Sequence, residues 1–176
     1  ELIQIGKEQS LLPASHLNIA LGSLVQTWRI GFADARIPNN AEVTHALSLT
    51  DPQLIELDPR SCTVFLAKEG MKLDLGCLAK GYIADKIADY LKSQHVMSAL
   101  INLGGNIKTI GANVLANRPW QIGIQNPRQP RGTNLAVLPI CNQSVVTSGT
   151  YERKLQVNEH TYHHILDRKT GYPVDT

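Results

Sequence analysis

Residues 73–82, Leu-Asp-Leu-Gly-Cys-Leu-Ala-Lys-Gly-Tyr, constrain this chain more than any other stretch. Leu73 and Leu75 bracket a lone acid, Asp74, as at the end of a buried strand. Gly76 lets the backbone turn tightly. Beyond it Ile83, Ile87, Tyr90 and Leu91 recur at helical spacing with Ala84 and Ala88 beside them, so a helix is expected over residues 77–94. A strand that passes through glycine into a helix leaves N–H groups unpaired at the helix start, where the helix dipole reinforces them. Such a place suits a phosphate. Asp74 and Lys80 fall within about a turn of it, and a phosphate carried on a metal or a lysine is what the place suits.

With 176 residues the chain is one domain or a large part of one. A net charge of +2 is near balance and points to neither nucleic acid nor a membrane surface. No apolar run approaches the roughly 20 residues that span a bilayer. Cys62, Cys77 and Cys141 are odd in number and widely spaced, without a C-x-x-C pair. They fit neither a disulfide framework nor a zinc site, and are expected to be free and buried. The chain starts at Glu1 without an initiator Met, and is expected to be a piece of a longer protein.

Residues 1–14 show no clear pattern. Ser15 or Asn18 can cap a helix over 19–30, with Leu21, Leu24, Val25 and Trp28 on one face. Asn39 or Asn40, with Glu42 in the first turn, starts a short helix over 41–49. Strands are expected at 54–57, 63–67, 72–75, 99–103, 107–110, 120–125, 135–140 and 144–147. Residues 99–103, Ala-Leu-Ile-Asn-Leu, read as a strand buried on both faces. Residues 151–157 and 161–166 form a hairpin through Asn158, Glu159 and His160. The later strands follow one another without helices between them. The expected fold is therefore α+β, a largely antiparallel mixed sheet with two or three packed helices.

Several places can carry chemistry. Gly104-Gly105-Asn106 follows a strand, and its glycines allow close approach of a ligand while the Asn amide binds a phosphate or ring edge. It reads equally as a turn between strands. The hydroxyls of Ser148 and Thr150 can hold phosphate oxygens or simply make a turn. His163 and His164 lie on opposite faces if extended, so only one serves a given site, most naturally as a general base. Asp167 can cap its own turn. Residues 126–131 form a basic loop without interleaved aromatics, more a solvated loop than a nucleic-acid patch.

Six segments taken together resemble the ApbE family, the FAD:protein FMN transferases. Residues 73–82 resemble its D-L-G-x-I-A-K-G-Y signature, and residues 18–28 its F-D-x-T-x-G-P-L-V-x-x-W. Residues 101–106 are similar to N-L-G-G-N, 120–127 to W-x-I-G-I-Q-x-P, 148–153 to S-G-x-Y-x-R and 164–171 to H-I-I-D-P-x-T-G. The order is the same and nearly the whole chain is covered. Among the departures from the pattern, Asn18 stands for Asp, and Arg168 for Pro.

The resemblance implies an ApbE or T-fold-like core that takes FAD as substrate with Mg2+. FMN is left on a Thr or Ser hydroxyl of a target flavoprotein, and AMP departs. His164 would be the general base. His16, Leu17, Asn18, Asp74, Lys80, Asn106 and Leu166 would contact FAD, with Thr147 and Ser148 as weaker candidates. The backbone carbonyl of Cys77 would be a metal ligand. The family's acidic and Thr metal ligands lie downstream of its T-G-x-P turn, and its N-terminal part precedes the region matched here. The 176 residues are therefore expected to lack a complete metal site and to be inactive alone. A bacterial cell-envelope location, as a lipoprotein, is implied, with the cytoplasm as the other possibility. A flavin-binding module without transfer, or a pyrophosphatase giving FMN and AMP, are alternatives because fold and motifs do not fix activity.

Overall fold

The structure is a computed structural model and describes residues 1–130, 132–149 and 153–174. Among these are four α-helices and nine strands, and every strand pair is antiparallel. The α+β expectation holds, with more helix than the two or three expected. The chain divides into two compact units, residues 1–78 with 149–176, and residues 79–148.

The first unit opens with α1 (Leu2–Leu11), a helix the sequence does not announce. Its buried positions are Gly6 and Ser10 rather than large apolar residues, so no hydrophobic period shows. Gly6 is needed because a Cβ there would sit 2.7 Å from Cγ2 of Ile19. Ser10 Oγ donates to the Gly6 carbonyl at 2.6 Å and accepts the Ile19 N–H at 3.0 Å. A hydroxyl so satisfied can be fully buried without penalty.

Asn18 caps a 3-10 turn (Ile19–Leu21) that leads into α2 (Gly22–Trp28). The single helix expected over 19–30 is thus two pieces. Asn39 caps α3 (Asn40–Leu47) in a capping box with Glu42. Arg36 pairs with the Glu42 carboxylate and, with the Asn39 N–H, holds its pKa down at about 2. This contribution to stability is full above the ordinary 4.5 and fades as pH falls towards 2.

Strands β1 (Ile55–Asp58) and β2 (Thr63–Leu66) form one hairpin. β8 (Lys154–Val157) and β9 (His160–His163) form another. The second turns through Asn158 and Glu159 alone, since His160 already pairs with Val157; Asn158 takes the left-handed conformation, φ 55°. The core has two parts. Ile19, Ala20, Leu49, Ile55 and Met71 form one. Leu24, Trp28, Ile30, Val43 and Ala46 form the other, where Tyr162 and Tyr172 stack around Trp28 at 5.7 and 5.6 Å.

Residues 72–75, expected as a strand, are not one. They lie along the start of α2 instead. The Gly22 N–H donates to the Lys72 carbonyl at 3.1 Å, and the Asp74 N–H to Ile19 at 2.8 Å. Ser23 Oγ donates to the Gly70 carbonyl at 2.7 Å.

The second unit contains most of α4 (Gly76–Ser93), within one residue of the expected span. Its Ala84 and Ala88 pack with Ile101 and Ile110. The three-stranded sheet runs in the order β3 (Ala99–Leu103), β4 (Asn106–Ile110), β7 (Ser144–Val146). The apolar β3 is an edge strand with Leu100 39% exposed, not a strand buried on both faces. The more polar β4 is central. Thr109, 1% exposed, is admitted there because its hydroxyl exchanges hydrogen bonds with Gln143, donating and accepting at 3.1 Å. β5 (Trp120–Gln125) and β6 (Asn134–Ile140) complete the unit as a separate ribbon.

All three cysteines are free, as expected, but exposed rather than buried. Cys62 lies in the left-handed part of the β1–β2 turn, Cys77 at the head of α4 and Cys141 just after β6, where the chain faces outward.

Gly22 is the tightest joint of the first unit. A Cβ there would lie 2.6 Å from both the carbonyl carbon and the oxygen of Lys72. Gly22→Ala is expected to lower stability by about 1–3 kcal/mol through forced backbone movement, read as an earlier midpoint in urea unfolding.

Candidate active site

In the first unit, the segment 70–74 is held against the start of α2, which fixes Asp74 at the entry to α4. Its Oδ1 accepts the Gly76 N–H at 2.7 Å, and the Leu78 N–H goes to the Leu75 carbonyl at 3.0 Å. Two of the amides expected to be bare are therefore satisfied within the chain. Asp74 also places a carboxylate where the helix dipole favours negative charge, so an anion there meets a partly occupied cradle.

The two histidines differ in every physical respect. His163 is 5% exposed; its Nδ1 accepts the Ile165 N–H at 3.2 Å, so a neutral ring carries its proton on Nε2. That Nε2 is buried and has no hydrogen-bond partner among the described residues. His164 follows β9 and is half-exposed. Its Nδ1 lies 3.4 Å from the Arg153 carbonyl, which can only accept. The Nδ1 therefore carries the proton, and Nε2 keeps its lone pair. Partial burial pushes the His164 pKa below the ordinary 6.5, opposed by its contact with the Arg153 carbonyl. Among charges, Arg153 and His163 lower it further and Asp74 raises it. A half-exposed, neutral imidazole with its free nitrogen fixed by a main-chain bond is equipped to take a proton.

His164 and Leu166 line a small pocket with Val25, Trp28 and Ile30. Leu166 packs against the Trp28 cluster and bridges to Pro173. Asp167 ties its own turn, accepting the Lys169 and Thr170 N–H groups at 2.6 and 3.1 Å. These bonds hold its carboxyl below the usual range, and the His16 charge is a lesser contributor. His16 is exposed and Leu17 half-buried. Asn18, 6% exposed, is built into the fold: Oδ1 accepts the Ala20 N–H at 2.9 Å and Nδ2 donates to the Thr50 carbonyl at 2.8 Å.

Within the second unit, Lys80 is exposed on α4. Asn106 is buried at the start of β4, and a Cβ on Gly81 would lie 3.8 Å from its Nδ2. Gly104 and Gly105 form the tight β3–β4 turn with φ of 62° and 91°, and the Asn102 carboxamide accepts the Gly105 N–H. Thr147 and Ser148 follow β7. Thr150, Tyr151 and Glu152 of the serine segment, and Arg131 of the basic loop, lie outside the described residues.

The Cys77 thiol is unsuited to a hard cation. Although the residue is exposed, partial desolvation of its thiol pushes the pKa up, with Asp74 adding to the effect, so it stays protonated. Any role of Cys77 with Mg2+ falls to its carbonyl oxygen, the donor type such ions prefer. Among the described residues no three His, Cys, Asp or Glu side chains converge as a metal cluster.

Sequence reading gave no role to Arg153 or Arg168. The first orients His164 through its carbonyl. The second reaches main-chain oxygens more than 150 residues away, which no local pattern reveals.

An oriented imidazole nitrogen with a free lone pair has the chemistry to accept a proton. Comparison with known proteins identifies the group: the sequence matches the ApbE family over residues 1–176, and the chain belongs to that family. It is 47% identical to an FAD:protein FMN transferase of Klebsiella pneumoniae (strain 342), over 99% of this chain and 53% of that protein. It is 39% identical to an FAD:protein FMN transferase of Treponema pallidum (strain Nichols), over 90% of this chain and 47% of that one. The solved ApbE protein of Thermotoga maritima superposes with a TM-score of 0.85 at 31% identity, over 98% of this chain and 55% of that one. The apo flavinyl transferase ApbE of Pseudomonas stutzeri gives 0.79 at 27% identity, over 99% and 53%. The chain spans about half the length of the curated relatives it matches.

Asn18 offers a sharp check on this geometry. Asp at that position cannot donate to the Thr50 carbonyl unless protonated. Burial raises the pKa of such a carboxyl, so stability is retained below the unfolded value and lost as pH rises from there through the raised folded value. Asn18→Asp should cost about 1–3 kcal/mol at neutral pH and much less near pH ~3, read by urea unfolding at both.

Proposed function

We propose that the protein is an FAD:protein FMN transferase that moves FMN from FAD to a Thr or Ser hydroxyl of a target flavoprotein. The observation that carries the reading is His164, with Nδ1 against the Arg153 carbonyl, Nε2 free and its pKa depressed. The names of the relatives agree with it.

In this reading the acceptor hydroxyl gives its proton to Nε2 of His164. Its oxygen bonds to the phosphorus of the FMN half of FAD as the bridging P–O bond breaks, and AMP leaves with the bridging oxygen. Little covalent help is needed for such a transfer; alignment and charge stabilisation supply most of the rate. By the family resemblance, His16, Leu17, Asn18, Asp74, Lys80, Asn106 and Leu166 would contact FAD. Asn18 would contribute through whatever hydrogen-bonding capacity its two structural bonds leave.

Mg2+ belongs to the proposal. When bound it would neutralise pyrophosphate charge, and the Cys77 carbonyl is the donor this chain would offer. Magnesium sites commonly use few protein oxygens together with waters and substrate phosphates. A cell-envelope location is likewise proposed, and fractionation of the producing cells tests it. Among the described residues no helix is long and apolar enough to cross a membrane.

The deciding experiment incubates the full-length protein with FAD, Mg2+ and a peptide carrying an acceptor Thr. Covalent flavin on the peptide is the expected result. Free FMN with unmodified peptide would make the protein a pyrophosphatase, and unchanged FAD a binding module. His164→Ala should slow transfer by at least about a hundredfold while FAD still binds, whereas His163→Ala should act chiefly on stability. Because His164 must be neutral, the acid limb of kcat/KM should fall below pH 6.5.

A further inference from the structure

We infer that Arg168 is a positioning residue: it clamps residues 15–17, and through them Asn18, to the turn that follows His164 and Leu166, and so holds the flavin-binding face in shape. The inference rests on the transferase reading and extends it to a residue where this chain departs from the family pattern.

One guanidinium nitrogen, Nη1, lies 3.1 Å from the Ser10 carbonyl, 3.0 Å from Ser15 and 3.3 Å from Leu17. Its two hydrogens are shared among three oxygens. Ser10 lies in the last turn of α1, where carbonyls lack helical partners and the dipole favours a cation. The arginine answers both needs with a planar, delocalised donor group.

The base from which it reaches is stiff. Asp167 ties the following amides, its own N–H donates to the Tyr172 carbonyl at 2.8 Å, and Gly171 donates back to the Asp167 carbonyl at 2.8 Å. The Trp28 indole N–H donates to the Gly171 carbonyl at 2.9 Å, anchoring the far end. The segment it holds is loose by comparison. Ser15 N–H bonds only to the nearby Leu12 carbonyl, and Leu17 N–H to Ser15 Oγ. Among the described residues, Arg168 makes every long-range hydrogen bond to residues 12–17. Proline at this place has no donor and could not do this.

The test compares full-length wild type, Arg168→Gln and Arg168→Lys by steady-state transfer to the Thr peptide, FAD binding through flavin fluorescence, and amide hydrogen exchange. Arg168→Gln should raise KM for FAD about tenfold, the loss of a charge-assisted hydrogen-bond group. It should leave kcat within about twofold, since the proton-transfer groups are untouched. Exchange should quicken over residues 11–18 and little elsewhere. Arg168→Lys, which can also share donors among three carbonyls, should recover most of the KM. An unchanged KM in Arg168→Gln, a fall in kcat instead, or a lysine variant no better than glutamine would overturn the assignment. A lowered thermal midpoint with wild-type KM would reduce Arg168 to a brace and overturn it too. If wild type itself binds no FAD, the transferase reading fails and takes this one with it; if wild type binds and transfers normally, only the Arg168 result is at stake.

Discussion

The site depends on a backbone-to-backbone contact between the start of α2 and residues 70–74. Two backbone hydrogen bonds make it, Gly22 N–H to Lys72 and Asp74 N–H to Ile19, and the Ser23 hydroxyl adds a third to the Gly70 carbonyl. It can close only because Gly22 has no side chain. It fixes the main chain at Asp74, and Asp74 in turn ends the segment by capping the first amide of α4. The acid that biases His164 is thus placed by a joint made chiefly of main chain.

The His163–His164 pair shows how neighbouring residues of one type acquire different chemistry. The side chain of His163 is drawn into the protein and its Nδ1 is spent on the Ile165 amide, leaving only a buried donor. His164 spends its donor on the Arg153 carbonyl and keeps its acceptor. Burial then disfavours the charged ring. The result is an imidazole whose neutral form is favoured and whose lone pair sits on Nε2, set by main-chain bonds rather than by sequence context alone.

Local signals made several elements legible. The Asn39–Glu42 capping box, the 3.6-residue period of α4 and the alternation in β5 each express a short-range preference, and the structure keeps all three. Elements whose stability is long-range were hidden. The inner face of α1 is a glycine and a serine fitted to Ile19, so it carries no apolar period. The most apolar strand, β3, is at the sheet edge, while β4 takes the centre because Gln143 satisfies Thr109. Cysteine burial was misjudged because turn and terminus positions, not side-chain type, decided exposure.

For the site, the sequence alone determined the inventory: Asp74 before a glycine and a helix, two adjacent histidines, and six ordered segments that resemble one family. These are properties of residue type and spacing, which a linear chain carries without folding. Only the tertiary structure decided which histidine keeps a free nitrogen, that Asp74 occupies part of its own anion cradle, that Asn18 is committed to Thr50, and that Arg168 reaches three carbonyls near the other end of the chain. Each of those facts is a hydrogen bond to a main-chain group. Every residue except proline offers the same N–H and every residue the same carbonyl, so the letters cannot say which partner is met until the fold has brought them together.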